Sequence, residues 1–208
     1  MLPQLIETLR VDRHGQIPLL ERHLARLAAS SIVLGYVYSE ADIRAAIAAA
    51  CTALPPDSEH RLRLLLNRHG KLDITTTPLP PLSTIPRVAL AETHLHADTL
   101  WLRHKTTHRP WFDAATAWLA DHPEHFDLIF ANEHGRLCEG SRSNVYLLLD
   151  GHWYTPPVTC GLLPGVQRAQ ILASGQAMER TLTRKDWHRA QGVRLSNALR
   201  GWFGVVVG

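Results

Sequence analysis

The chain has 208 residues, 45% hydrophobic and 20% charged, with a formal net charge of +3 from 22 basic and 19 acidic side chains. This composition fits a globular protein large enough to bury a proper core, and the scattered basic residues lack the concentrated patch of a nucleic-acid binder. Three widely spaced cysteines, no leader-like N-terminus and no run near roughly 18 apolar residues argue against a disulfide framework, secretion or a membrane span, and for a reducing cytoplasm.

In chain order, "LIETLRVDRHGQIPLL" predicts two short strands around a turn at His14-Gly15. Leu20, Leu24, Leu27, Ser31 and Leu34 then recur at helical spacing, with Gly35 as the stop. His23 and Arg26, three apart, are expected on a neighbouring face away from that stripe. Ser39-Glu40-Ala41-Asp42 resembles a capping box and opens a second helix that closes at Pro55-Pro56. "HRLRLLLNRHGKLDITTTPL" reads as a strand, a turn at His69-Gly70 and a second strand. The Pro-rich stretch 77–86 suggests a boundary, giving domains 1–82 and 83–208.

The second half continues with strand-like "RVALAE" and "TLWLRHK", helix-like "WFDAATAWLADH", and strand-like "FDLIFAN", "RLCEG", "NVYLLLD" and "GHWYTP". "GLLPGVQRAQILASG" is a Gly/Pro loop running into a helix, and "ERTLTRKDWHRA" a strand and a helix. "GVRLSNAL" and "GWFGVVVG" are the last strands. The expectation is a mixed α/β (α+β) protein of two domains with a cleft between them.

Several groups in this pattern could carry chemistry. A lysine at a strand end beside bulky apolar groups, such as Lys105 in "TLWLRHK", loses hydration, which lowers its pKa and frees an amine to attack a carbonyl. Taken alone it reads rather as a surface lysine with an apolar stem. Glu139 in "CEGSRSNVY" ends a strand at a glycine, beside Ser141, Ser143 and Asn144, and lacks the Gly-x-Ser-x-Gly of a hydrolase elbow. Gly161, Pro164 and Gly165 force a loop before a helix from Val166, whose first backbone N–H groups suit a phosphate. His94, His96, His104 and His108 have no carboxylate or cysteine at a familiar ligand spacing, so no metal is expected.

Taken in order, "ETLR", "ERHLARL", "RHKTTHR", "CEGSRSNVY", "GLLPGVQR" and "LSNALRGW" resemble the class IV, or fold-type IV, pyridoxal-phosphate (PLP) enzymes. That family holds branched-chain and D-amino-acid transaminases and 4-amino-4-deoxychorismate lyase. The resemblance implies a two-domain fold with the cofactor in the interdomain cleft, a small-molecule substrate and a homodimer. It implies that Lys105 is the Schiff-base lysine and proton shuttle, and that Glu139 is the partner of the pyridine nitrogen. It makes Arg26 and the backbone N–H groups of Val166 and Gln167 the phosphate site, with Leu163 on one face of the ring. Transaminases often have Thr where Gln167 stands.

Within the family, "RHKTTHRPWFD" and "SNALRGW" are similar to lyase domains fused behind aminodeoxychorismate synthase, and the start almost at "ETLR" is similar too. Thr8 matches a threonine characteristic of the lyases, which implies proton delivery to the departing group. By the same likeness Asn197 would contact a substrate carboxylate, while Arg61 and Arg63 in "HRLRLLL" read from the residues alone either as carboxylate binders or as an exposed strand face. A branched-chain or D-amino-acid transaminase, and an inactive relative serving as partner of the synthase, remain as alternatives.

Overall fold

The computed structural model describes residues 2–82 and 84–208, which divide into two compact units. The first extends to Pro81 and takes in His104–His108; the second comprises Leu82–Arg103 and Arg109–Gly208.

In the first unit, strands β1 (Leu5–Val11), β2 (His60–Leu66) and β3 (Leu72–Pro78) form an antiparallel sheet in that order. Helices α1 (Leu20–Leu34) and α2 (Glu40–Thr52) complete it. Residues along β2 alternate between buried and half-exposed, the period-two mark of a sheet with one covered face. Leu5, Leu9 and Val11 of β1 and the leucines of β2 pack against Leu24, Leu27, Ile43 and Ile47 of the helices. Ser39 caps α2 by accepting a hydrogen bond from the Asp42 N–H.

Gly35 ends α1 in the left-handed conformation, φ 71°, with its N–H bonded to the Ser31 carbonyl, a geometry glycine adopts without a Cβ penalty. The leucine stripe is only part of the buried face of α1. His23, expected away from it, is buried with Leu24 and Leu27. The second strand expected after β1 is also absent. Asp12 Oδ1 accepts from the N–H groups of His14 (2.9 Å) and Gln16 (2.8 Å), so a side-chain-stabilised turn leads into α1.

The second unit is built on an eight-stranded mixed sheet. Its strands are β4 (Arg87–His94), β5 (His125–Ala131), β6 (Leu137–Gly140), β7 (Asn144–Leu149), β8 (His152–Thr155), β9 (Met178–Glu179), β10 (Gly192–Asn197) and β11 (Gly201–Val207). Their order is β6-β5-β4-β11-β10-β7-β8-β9. Helices α3 (Thr99–Leu102), α4 (Asp113–Asp121), α5 (Val166–Ala173) and α6 (Arg184–Arg189) accompany it. Strand β7 is almost continuously buried because both its faces are covered. Val145 and Leu147 join the main core with Ile129, Leu137, Trp187 and Leu195, while Tyr146 packs with Ile171 of α5.

"TLWLRHK" is not a strand. Asp98 caps a short helix by accepting from the Leu100 N–H (2.7 Å), and α3 covers Thr99–Leu102. Trp101, Arg103 and Lys105 therefore do not share a strand face, and extended pairing starts only at the lysine. Among the described residues, no helix is long and apolar enough to cross a membrane.

Candidate active site

The lysine-bearing segment of the first unit lies along the free edge of β1. The Ile6 N–H donates to the Lys105 carbonyl (2.8 Å), the Thr107 N–H donates to the Gln4 carbonyl (2.9 Å), and Thr106 bridges Leu5. Thr106 is fully buried on the helix side, and the His104 ring contacts Ser30 Oγ of α1 through Nδ1 at 2.9 Å. The Leu5–Thr106 bridge sets Lys105 opposite Ile6, and paired residues share a face, so Lys105 belongs to the opposite face of the sheet. On β1 that face carries Ile6, Thr8 and Arg10. In the ladder Thr8 stands directly opposite Arg63, and Arg10 opposite Arg61. The expected lysine, hydroxyl and carboxylate-binding arginines thus share one face.

The other face holds a group that motif reading missed. Glu7, beside Thr8 but on the helix side, is 2% exposed. It accepts from Arg26 Nε (2.9 Å), Arg26 Nη2 (2.6 Å) and His23 Nδ1 (2.6 Å). Burial pushes its pKa up, but the Arg26 charge and the hydrogen bonds from His23 and Arg26 outweigh that and hold it at about 2. An ionised Glu7 requires the proton of His23 on Nδ1. The buried Nε2 has no hydrogen-bond partner. The bidentate fork fixes the plane of the Arg26 guanidinium, the group expected to meet a phosphate.

In the second unit, Glu139 lies on β6 and is 5% exposed. The following turn is organised by Asp127 of β5, a residue with no motif to announce it. Asp127 Oδ1 accepts from Leu128 N (2.9 Å), Ser141 N (2.8 Å) and Ser141 Oγ (2.7 Å). Its Oδ2 accepts from Arg142 N (3.0 Å) and Ser143 Oγ (2.5 Å). Burial raises the Asp127 pKa, and these donors oppose the rise. Arg109 grips the same turn by donating to the Ser141 carbonyl, with its guanidinium 4.9 Å from the Phe112 ring centroid. Burial lowers the Arg109 pKa, while Glu139 and Asp127 counter it by favouring the cation.

The loop before α5 is tied to the sheet at three points. Asn132 Nδ2 donates to the Cys160 carbonyl (3.0 Å), Cys138 Sγ–H to the same carbonyl (3.1 Å), and Asn144 Nδ2 to the Leu163 carbonyl (3.0 Å). A Cβ on Gly165 would collide with Asn144 Oδ1. Gly165 provides no side-chain cap for α5, so the N–H groups of Val166 and Gln167 begin the helix without a capping side chain. Leu163 and Gln167 are half-buried.

Asn197, expected on a substrate carboxylate, spends most of its amide on backbone. Its Oδ1 accepts from the N–H groups of Leu199 (3.1 Å) and Arg200 (2.9 Å), and its Nδ2 donates to the Arg142 carbonyl (3.2 Å). These bonds hold the β10–β11 turn onto the Gly140–Ser143 turn. Separately, the first unit has a cavity of about 360 Å³ at the Val11 end of β1, lined among others by His14, Cys51, Leu54 and His60. It contains none of the expected site residues.

The family model described as Amino-transferase class IV matches residues 4–207. A Schizosaccharomyces pombe protein provisionally named aminodeoxychorismate lyase is 27% identical over 207 residues, covering 94% of this chain and 86% of its own length. Among solved structures, a Mesorhizobium loti protein provisionally named an amino-acid aminotransferase has a TM-score of 0.91 and 32% identity, covering 100% of both chains. The 4-amino-4-deoxychorismate lyase of Pseudomonas aeruginosa has a TM-score of 0.80 and 27% identity, covering 98% of this chain and 82% of that one. A family match across nearly the whole chain leaves one conclusion: it belongs to the class IV aminotransferase family, whose members depend on PLP.

Proposed function

We propose that the chain is a PLP-dependent 4-amino-4-deoxychorismate lyase, releasing pyruvate and leaving 4-aminobenzoate, a folate precursor. The observation that carries this reading is the cross-strand pair of Thr8 and Arg63 on the face toward which Lys105 turns. A hydroxyl suited to protonate an enolpyruvyl leaving group there adjoins a cation suited to a carboxylate, and Arg61 and Arg10 follow two pairs along. The lyase names carried by relatives from Schizosaccharomyces pombe and Pseudomonas aeruginosa support it.

The residues present fit PLP. A buried carboxylate, Glu139, suits a protonated pyridine nitrogen, and Gly165 leaves a helix start open at the N–H groups of Val166 and Gln167 for a phosphate. When bound, PLP draws into its ring the electrons left on a substrate carbon as a bond there breaks. Lys105 would supply the amine that holds the aldehyde and the base for the substrate's α-proton. Glu139 keeps the proton on the pyridine nitrogen. Arg26, its plane set by Glu7, would serve as a phosphate ligand in the first unit, and in the second the α5 N–H groups would do the same and Leu163 would pack on the ring. Thr8 delivers a proton to the departing enolpyruvyl group, and Arg63 with Arg61 orients the substrate. We extend the proposal to a homodimer and to work with an aminodeoxychorismate synthase.

The second reading is a class IV transaminase, favoured by the name of the Mesorhizobium loti relative. The purified protein, loaded with PLP and given aminodeoxychorismate, is expected to form 4-aminobenzoate and pyruvate in equal amounts. Amino-group transfer between an amino acid and a keto acid, without 4-aminobenzoate, would replace the lyase by a transaminase. Failure to take up PLP would leave an inactive relative, against which the retention of Lys105 and Glu139 argues.

A further inference from the structure

We infer that Asp127 is a positioning residue for Glu139, acting through the Gly140–Ser143 turn. The inference rests on the proposed role of Glu139 at the cofactor's pyridine nitrogen. Strand β6 ends at Gly140, paired to Ile129, and the chain folds over the fully buried Asp127 carboxylate where the strand would have continued. Both oxygens of Asp127 are saturated by donors, five in all, and four of those come from the turn.

The rest of the turn is equally committed. Arg109 donates to the Ser141 carbonyl, Asn197 to the Arg142 carbonyl, and the Gly140 N–H to the Ser143 carbonyl (2.8 Å). The N–H and C=O groups of Ser141 and Arg142, and both serine hydroxyls, thus have named partners on the protein. Satisfaction this complete fixes one geometry, since any shift of the turn breaks several charge-assisted bonds in a buried place. The fit also excludes a side chain at position 140, because a built Cβ would lie 2.6 Å from Asp127 Cγ.

Glu139 is covalently next to this fixed point, and its charge, like that of Asp127, favours the Arg109 cation that holds the turn. Asp127 needs no contact with the cofactor to act. It sets where β6 stops, and so where the Glu139 carboxylate stands, in the way outer partners orient an inner ligand.

The test compares wild type with Asp127→Asn, Ser143→Ala and Glu139→Gln. It reads PLP dissociation, the pH at which the visible band of the bound cofactor shifts, and amide exchange at Ser141 and Arg142 in PLP-free protein. Asp127→Asn turns an amide NH2 toward existing donors, and Ser143→Ala deletes one donor while keeping the carboxylate. Both are expected to speed exchange at Ser141 and Arg142, weaken PLP binding about tenfold or more, and move the band in the direction Glu139→Gln moves it. Should Asp127→Asn not fold, Ser143→Ala decides alone. Wild-type PLP affinity and band position in these two variants, with both altered in Glu139→Gln, overturns the inference and leaves the proposed role of Glu139 intact. An unaffected Glu139→Gln, or a wild type that binds no PLP, overturns that role and the inference with it.

Discussion

Replacing Glu7 by Gln separates charge from shape at the buried centre of the first unit. The Glu7 carboxylate titrates at about 2 against an ordinary value of 4.5, with burial raising it and Arg26 and His23 more than reversing the rise. A folded-state pKa below the unfolded one gives stability that is complete above about pH 4.5 and is lost as the pH falls through 2. That interval corresponds to roughly 3 kcal/mol at pH 7, and the cost of orphaning one member of a buried ion pair, about 3–5 kcal/mol, is of the same size. At pH 3 the unfolded carboxyl is already protonated while the folded one is still mostly ionised, so about 1 kcal/mol should remain. All six tryptophans lie in the second unit, so their fluorescence does not follow the first. Amide exchange in β1 and β2 under increasing urea, at pH 7 and pH 3, supplies the measurement. The wild-type advantage over Glu7→Gln should shrink by about 2 kcal/mol between the two pH values. An equal gap at both would show that Glu7 acts by packing and that its ion pair contributes no net stability.

Lys105→Ala should purify folded but colourless in the presence of PLP; a retained visible band, checked by absorbance, would place the covalent link elsewhere. Thr8→Val keeps the side-chain shape and removes the hydroxyl, so 4-aminobenzoate formation should fall about 100-fold or more with PLP affinity unchanged. An unaltered rate would remove Thr8 from the proton transfer. Gly165→Ala puts a methyl onto Asn144 Oδ1 and should weaken PLP binding, measured by titration, while Gly165→Ala with Asn144→Ala should recover part of it.

Local chemistry explains what could be read in the chain. Period-two alternation gave β2, leucines at helical spacing with Gly35 gave α1, and Ser39 gave the start of α2, because each element carries its own signal. The error at "TLWLRHK" came from weighing alternation over a cap: Asp98 stands directly before a short apolar run, the usual place for an N-cap side chain. The missing second strand has a similar cause, since Asp12 satisfies the donors of two following residues and ends the extended run. Glu7 and Asp127 were opaque for a different reason. A lone acid in an apolar strand looks like a surface residue until its partners arrive from 14 to 19 positions away. The acidic residue in "FDLIFAN", otherwise as apolar as a buried strand, was the available signal for Asp127.

The adjacency of Glu7 and Thr8 shows why register governs this protein more than composition does. Two neighbours on a strand must face opposite ways, so one core-side anion can hold Arg26 while the next residue offers its hydroxyl beside Arg63. A slip of one residue would put the carboxylate among Arg61 and Arg63 and the hydroxyl into the leucine core. The lysine is subject to the same rule, although more than 90 residues of chain separate it from β1. His104 and Thr106 on either side of it are anchored to the helix face, by Ser30 and by complete burial opposite Leu5. The pairing that follows sets Lys105 opposite Ile6, on the face of Thr8. A segment with no regular secondary structure of its own thus presents its amine by pairing with a strand edge, and the two residues flanking the lysine hold that register.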